Sequence, residues 1–367
     1  MLRISAATLG LVLLCDALAA DPTVYREPDP KIIAKAETIA STLQAAPSKK
    51  KRRVLVYGIS FGPHRTTIRT AQQVFKLLGE KTGAFEVVVS QDLANFETDK
   101  LKQFDSVIFA NTTGEVFCRP ADKIQFKALS ADEKREQEDI AARLIKNLDD
   151  YVRAGGGFMA IHSATDTLKN HKAYGDMIGA VFTQHPWGPK ETVTVKVEDP
   201  DHALTKGVFD KSEFKFNDEI YEFREPYDRR RLHVLLSLDL GKSDKPNRPL
   251  RRTDGDYPIA WTRSHGKGRV FYCSLGHATS TFANLIILKF WLRGIQFTTG
   301  DIDAVTTPSR QLHTAENGNL VQLRHSVREF IKSILQAYEN NQAFSHNILF
   351  DRPSRFWNFN TGSWALT

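Results

Sequence analysis

Between residues 53 and 166, short apolar runs alternate with longer amphipathic stretches. The apolar runs predict strands and are found in "RVLVYG", "FEVVVSQD", "FDSVIFANTT" and "FMAIHS". Two stretches between them predict helices: "RTAQQVFKLLGEKTG", which ends at a glycine, and "SADEKREQEDIAARLIKNLDDYVRAGGG", which begins at Ser130 as N-cap. Strands and helices in series predict a parallel, doubly wound sheet, and nearly continuous apolar runs indicate strands that are covered on both faces.

Beyond residue 185 the predicted helices become scarce. Five apolar or alternating runs follow one another with polar turns between them: "ETVTVKVED", "EFKFNDEIYEF", "LHVLLSLDL", "YPIAWTR" and "GRVFYCSLG". They predict a mixed or antiparallel extension of the same sheet. An apolar helix in "STFANLIILKFWLRGIQFTTG" then closes the unit. The predicted fold class is therefore α/β, with one main domain over residues 53–300.

The segments that flank this domain have different patterns. Residues 21–52 begin with a Pro-rich stretch, continue with one helical stretch, "KIIAKAETIASTLQAA", and end in basic residues, which indicates a linker and a helix outside the main fold. Residues 301–367 contain the helical stretch "LRHSVREFIKSILQAYENN" followed by an aromatic-rich, irregular sequence. We expect this tail to cover part of the core; an aromatic platform for a ligand is the alternative.

Residues 1–20 have the layout of a secretory signal peptide. Arg3 precedes the apolar run "LGLVLLC", and the small residues of "ALAA" follow it. A membrane anchor is the competing interpretation, but the run is shorter than the ~20 residues of a spanning helix. We expect cleavage near Ala19 or Ala20, a periplasmic or secreted protein, and no membrane attachment after cleavage.

Composition and charge narrow the class of protein. The chain has 367 residues, of which 41% are hydrophobic and 25% charged, as in ordinary globular proteins. Outside the leader only Cys118 and Cys273 remain, and we expect both thiols to be free and partly buried. The net charge is +7, with basic runs at 49–53 and 229–231. We interpret these runs as solvated flanks rather than a nucleic-acid site, because the leader directs the chain away from nucleic acid.

Polar residues that could bind a metal or act in acid–base catalysis lie at the ends of predicted strands or in the turns that follow. They are His162 in "AIHSA", His185 in "FTQHPW", Asp218 and Glu219 in "NDEIYEF", and His277 in "SLGHA". Open α/β sheets gather ligands at the carboxyl ends of their strands, so residues distant in sequence are expected to converge there.

Two kinds of chemistry fit these residues. Three imidazoles and a carboxylate (His162, His185, His277 and Glu219) suit Zn²⁺, Mn²⁺ or Fe²⁺, although no short local metal motif is present. Without a metal, the same groups could act as general acid and base. No phosphate-binding loop is found, so no nucleotide cofactor is expected.

Further residues are candidates for substrate binding. Tyr221 lies two residues beyond Glu219 and is a hydroxyl donor or simply an edge-strand aromatic. His64 and Arg65, in "FGPHRTT" after the first strand, are placed to hold an anionic or hydroxylated substrate, or belong to a loop that starts a helix. Ser163 and Asp218 complete the set of expected substrate contacts.

Five separated segments resemble the ThuA-like proteins, the trehalose-utilisation family. They are "GGGFMAIHSATD", "GAVFTQHPW", "DPDHALTKGV", "NDEIYEF" and "YPIAWTRSHGKGRVFYCSLGHATSTF", in the family's order and spacing over about residues 53–300. The resemblance implies a flavodoxin-like fold similar to that of class I glutamine amidotransferases, with added antiparallel strands. In that superfamily a nucleophilic cysteine occupies a sharp strand-to-helix turn; the resemblance puts His162 there and Ser163 one position later, so glutamine hydrolysis is not expected.

The resemblance also implies a function in disaccharide catabolism through 3-keto sugars. The expected step is isomerisation or cleavage of the keto sugar by removal of a proton next to its carbonyl. Glu219 or His162 would be the base, and His277 with His185, directly or through a metal, would stabilise the oxyanion. The alternative is a non-catalytic carbohydrate-binding protein on the same scaffold. The expected partner is a small carbohydrate. The sequence does not decide between a monomer and a homo-oligomer.

Overall fold

The protein is described here from a computed structural model, which covers residues 25–62, 64–309, 355–358 and 363–366. The chain divides into two units, Met1–Arg310 and Gln311–Thr367. The leader and the predicted helix of the tail lie outside the described residues.

The first half of the main sheet is parallel, as the alternation of strands and helices predicts. Its strands are β1 (Arg53–Tyr57), β2 (Glu86–Ser90), β3 (Ser106–Ala110) and β4 (Gly157–Ile161), later joined by β11 (Gly268–Cys273). They lie in the order β2-β1-β3-β4-β11, and every neighbouring pair is parallel. Their carboxyl ends therefore meet at one edge of the sheet.

The second half adds antiparallel pairs. β5 (Val181–Trp187) and β8 (Ile220–Arg224) pair with each other as a separate two-stranded ribbon. The remaining strands, β6 (Val193–Val197), β7 (Glu213–Phe216), β9 (His233–Asp239) and β10 (Pro258–His265), extend the sheet in the order β11-β10-β9-β6-β7. The described residues thus form one nine-stranded mixed sheet, and the predicted flavodoxin-like α/β class with added antiparallel strands is confirmed. In the second unit, the described residues form the pair β12 (Arg355–Asn358) and β13 (Ser363–Leu366).

Helices cover both faces of the sheet. Their bounds are α1 (Pro30–Ala40), α2 (Arg65–Thr82), α3 (Thr98–Leu101), α4 (Lys123–Ala128), α5 (Ala131–Arg153), α6 (Lys172–Ile178) and α7 (Leu285–Thr299). The N-cap predicted at Ser130 is present as a full capping box with Glu133, and α2 ends at Gly83 in the left-handed conformation.

The alternation of side chains along each strand divides the core in two. Val54 and Val56 of β1 pack on the face covered by α2 and α7, whereas Leu55 and Tyr57 pack on the face covered by α5 and α6. Each fully buried aliphatic or aromatic side chain stabilises the fold by roughly 1.5–3 kcal/mol. The double coverage explains why the sequence of β1 is apolar without interruption.

The segment before β1 is more closely integrated than its sequence indicates. α1 was expected outside the main fold, but Ala36 and Ala40 are fully buried in the core beside α2. The small alanine side chains permit this close packing. The helix therefore belongs to the first unit.

Most residues of the two basic runs are exposed, as expected, but one arginine in each run is largely covered and paired. Arg52 is 8% exposed and is paired with Asp105 and Asp301. Arg229 binds the carboxylate of Asp256 through two nitrogens. A buried guanidinium needs such partners, and these arginines tie loops to the sheet.

Two further expectations concern the cysteines and the membrane. Cys118 and Cys273 are free, as predicted, and both are fully rather than partly buried. Among the described residues, no helix is both long and apolar enough to span a bilayer.

Candidate functional site

Four neighbouring parallel strands deliver polar residues to the carboxyl edge of the sheet. The loop after β1 leads to His64, the loop after β3 to Thr113, β4 to His162, and β11 to the segment Ser274–His277. The ribbon of β5 and β8 lies outside the sheet and brings His185, Glu219 and Tyr221 to the same place. The predicted convergence of strand ends is therefore present.

His162 occupies a sharp turn directly after β4. The strand ends at Ile161, and His162 begins a 3₁₀ turn with φ at 50°, a left-handed conformation that is uncommon for a residue with a side chain. Its ring is fully buried, and Nδ1 donates a hydrogen bond of 2.7 Å to the carbonyl of Ser274. That bond leaves Nε2 as the free ligand atom, and it is this nitrogen that points to the other histidines.

Three side chains lie around Nε2 of His162, and together with it they form what we call the His/Glu cluster: His64, His162, Glu219 and His277. Nε2 of His162 lies 3.2 Å from Nε2 of His64, 3.3 Å from Nδ1 of His277 and 3.4 Å from Oε2 of Glu219. One ligand atom from each of the four residues lies within 4.8 Å of all the others. This spacing is compact enough for a single metal ion to reach all four atoms.

His64 enters the cluster although it was assigned to substrate binding. It precedes α2, and its Nδ1 lies 2.9 Å from the hydroxyl of Thr113, so Nε2 faces the cluster. Sequence reasoning missed this role because the residue lies in a loop, not directly at a strand end. The signal that could have found it is the position of that loop after β1, whose carboxyl end lies at the same edge.

His185, which was assigned to the metal-ligand set, lies at its margin. Its Nδ1 is 3.1 Å from Oε1 of Glu219, whereas the cluster uses Oε2, and its side chain is 34% exposed. His185 and the 32% exposed His277 lie at the open side of the site. The four residues whose ligand atoms the structure brings within 4.8 Å of one another therefore include His64 and not His185.

Tyr221 reaches the centre of the cluster. Its hydroxyl lies 3.1 Å from Nε2 of His162 and 3.3 Å from Nε2 of His64, and its ring packs against His162 with centroids 4.5 Å apart. Burial raises the pKa of Tyr221 well above its ordinary value, so the phenol keeps its proton and donates.

Two of the residues expected to contact the substrate, Asp218 and Arg65, are already bound to protein partners, whereas among the described residues the Ser163 hydroxyl is not. Asp218 is fully buried, and five donors surround its carboxylate. Arg65 is buried and binds the carbonyls of Ser60 and Ala121 and the carboxylate of Asp122. Both therefore organise loops, because their polar atoms already have protein partners. The Ser163 hydroxyl is buried, and among the described residues no partner for it is found.

The carboxylate and the imidazoles of the cluster shift one another's pKa values. Burial alone would raise the pKa of Glu219, but its contacts with His162, His277 and His64 outweigh burial and hold that pKa well below its usual range. Burial lowers the pKa of His64 to about 4, and burial also lowers the pKa of His185. Burial would lower the pKa of His277 as well, but its contact with Glu219 raises it. At neutral pH the cluster thus holds a carboxylate and at least one unprotonated imidazole ligand.

The chemistry of these donors fits a divalent transition metal. Imidazole and carboxylate are the ligands that Zn²⁺, Mn²⁺ and Fe²⁺ share. The second nitrogens of His162 and His64 are held by a carbonyl and a hydroxyl, which is the usual way in which ligand histidines are oriented.

Fold and site together define an α/β protein with a mixed, mainly parallel sheet and a buried His/Glu cluster at the carboxyl edge of its strands. The ThuA family model, described as trehalose utilisation, matches residues 53–298, and the chain belongs to this family. Among curated proteins none matches the chain.

Two solved structures are similar to this chain, and the first of them has the same fold. A putative ThuA-like protein from Bacteroides uniformis is 23% identical, with a TM-score of 0.51; the match covers 69% of this chain and 94% of the other. A putative ThuA-like protein from Parabacteroides merdae is 17% identical, with a TM-score of 0.46, over 68% of this chain and 91% of the other.

Proposed function

We propose that this protein is a metal-assisted carbohydrate enzyme that acts on a keto sugar or a disaccharide derivative. The reaction would be isomerisation or cleavage that begins with removal of a proton next to a carbonyl. The observation that carries the proposal is the His/Glu cluster, whose four ligand atoms lie within 4.8 Å of one another at the sheet edge where α/β folds bind ligands. Membership of a family described as trehalose utilisation supports the substrate class.

The ion we propose is Mn²⁺ or Fe²⁺ rather than Zn²⁺. Four protein ligands complete the tetrahedral shell that Zn²⁺ prefers, whereas ions that take six ligands keep open positions for a substrate. An ion in the cluster would supply a Lewis acid for the oxygen of the substrate carbonyl.

Two side chains beside the cluster would bind the substrate oxygen and remove the proton. The hydroxyl of Tyr221, which keeps its proton, would donate a hydrogen bond to the same substrate oxygen. With Glu219, His162 and His277 used as ligands, His185 is the imidazole left at the open side of the site. Its pKa is lowered by burial, so it is unprotonated at neutral pH and can accept the proton from carbon. We therefore assign the base to His185, in place of Glu219 or His162.

The first test is elemental analysis of the purified mature protein, wild type and His162→Ala with His277→Ala. We expect close to one metal ion per chain in the wild type and loss of the ion in the double variant. No metal in protein purified without chelator would overturn the proposal of a metal enzyme.

The second test separates metal binding from turnover. 3-Keto glycosides in D₂O are offered to wild type and to His185→Ala, and deuterium incorporation and product are followed by NMR. His185→Ala should keep the metal and lose at least about 100-fold in rate, the contribution expected of a general base. Saturable sugar binding without product or exchange in the wild type would instead identify a carbohydrate-binding protein.

We also propose that the chain is exported and that it does not hydrolyse glutamine. The first 20 residues support export, and the histidine in the turn after β4 supports the loss of amidotransferase chemistry. Intact mass of protein recovered outside the cytoplasm should show cleavage near Ala20. Glutaminase activity of the purified protein should stay at the level of a buffer control.

A further inference from the structure

The carboxylate of Asp218 joins the two chain segments that carry the His/Glu cluster. Its Oδ1 accepts hydrogen bonds from the backbone N–H groups of Glu219, His277 and Ala278, at 2.8–3.1 Å. Its Oδ2 accepts from the N–H of Gly276 and from the hydroxyl of Thr281, at 2.8 and 2.9 Å. One buried carboxylate thus fixes the backbone of two ligands, Glu219 before β8 and His277 after β11.

The same segment also orients a third ligand. The carbonyl of Ser274 accepts the hydrogen bond from Nδ1 of His162. Gly276, with φ at 142°, packs so closely on the turn that an added Cβ would lie 3.4 Å from Cβ of His162. The position of the segment 274–278 therefore decides where Nε2 of His162 points.

We infer that Asp218 is the positioning residue that sets the metal affinity of the His/Glu cluster. The inference rests on the proposed metal site. Asp218 does not touch the ligand atoms themselves; it acts by holding three of the four ligands at the spacing one ion requires. Outer-shell groups of this kind typically change metal affinity by 10–100-fold.

Glu222 provides a matched control on the same ribbon. It is fully buried, and its carboxylate accepts hydrogen bonds from the backbone N–H groups of Arg251 and Arg252 and from Gln184. Arg251 and Arg252 belong to a loop that contributes no residue to the cluster, and Gln184 lies on β5, whose His185 is outside the cluster. Glu222→Gln therefore disturbs a buried carboxylate of similar kind without disturbing the ligands.

The experiment compares wild type, Asp218→Asn and Glu222→Gln. Dissociation constants for Mn²⁺ and, separately, for Zn²⁺ are measured by competition with a chromophoric chelator, and melting temperatures of the metal-free proteins are recorded. In Asp218→Asn an amide group faces donors that need an acceptor. We expect its metal affinity to fall 10–100-fold, whereas Glu222→Gln should lose stability with less than a threefold change in affinity.

A milder variant keeps the test valid if Asp218→Asn does not fold. Thr281→Val removes one of the five donors to Asp218 and should weaken metal binding a few-fold. If wild type binds the ions and both Asp218→Asn and Thr281→Val bind them equally well, the inference is wrong and the proposed function stands. If wild type binds neither ion, both fail.

Discussion

At the scale of the residue, His162 has a strained backbone conformation and a side chain whose ring is held in one orientation. Its left-handed φ, the hydrogen bond of Nδ1 to Ser274 and the contacts of Nε2 all fix one ring orientation. Strain of this kind persists where the surrounding structure over-determines it, and it is concentrated at functional sites. His162 is therefore the best position at which to separate stability from metal binding.

We expect His162→Asn and His162→Val to differ in stability but not in metal content. Asparagine tolerates the left-handed conformation, whereas a β-branched residue does not, so the valine variant should be less stable by about 1–3 kcal/mol. Both variants lack the imidazole and should lose the ion. Urea unfolding and elemental analysis check this; equal stability of the two variants would argue against strain at this turn.

Metal binding should release a proton from His277 near neutral pH. Contact with Glu219 raises the pKa of His277, and a ligand imidazole must give up the proton at its binding nitrogen. The release should grow as the pH falls from 8 to 6, and metal affinity should weaken over the same range. Calorimetry in buffers of different ionisation enthalpy measures the release, which His277→Gln should reduce. Binding heats that do not depend on the buffer would contradict this expectation.

At the scale of the element, the long helix α5 was predictable because its signals are local. Ser130 and Glu133 form the capping box, and the apolar face of the helix packs on the sheet through Leu144 and Leu148. The ribbon of β5 and β8 was not predictable as a separate element. In the sequence, β8 is part of the same run, "EFKFNDEIYEF", as the sheet strand β7, and only tertiary packing separates it from the main sheet.

Ser130→Ala should lower the free energy of unfolding by about 1 kcal/mol, because a backbone donor at the start of α5 loses its acceptor. The side-chain hydrogen bonds of the cap join Ser130 and Glu133 and reach no cluster residue, so metal content and turnover should not change. Chemical denaturation of the wild type and the variant provides the measurement. Loss of metal from the folded variant would show that the cap affects the site.

At the scale of the whole molecule, burial of histidines couples the fold to pH. Burial lowers the pKa of His64 to about 4 and also lowers that of His185, His202 and His265. In the unfolded chain these groups titrate near 6.5, so the unfolded state takes up protons first as the pH falls. Their contribution to stability is complete above about pH 6.5 and is lost on acidification toward pH 4. The raised pKa of His277 acts in the opposite direction.

The metal-free protein should therefore become less stable between pH 7 and pH 4. Urea midpoints at several pH values give the slope, and His64→Gln should flatten it because that side chain no longer titrates. A midpoint that stays constant or rises on acidification would contradict the expected burial of neutral histidines.

The sequence by itself determined the parallel sheet, its helices, the free cysteines and the convergence of strand-end residues, because periodicity, caps and strand order are local or topological properties. It also indicated His162, Glu219 and His277 as candidate site residues. Only the tertiary structure decided that His64 rather than His185 belongs to the His/Glu cluster, that Asp218 and Arg65 hold loops, and that α1 joins the core. These outcomes depend on which atom of a side chain faces which neighbour. A distance such as the 3.3 Å between His162 and His277 is set by packing, and no local pattern encodes it.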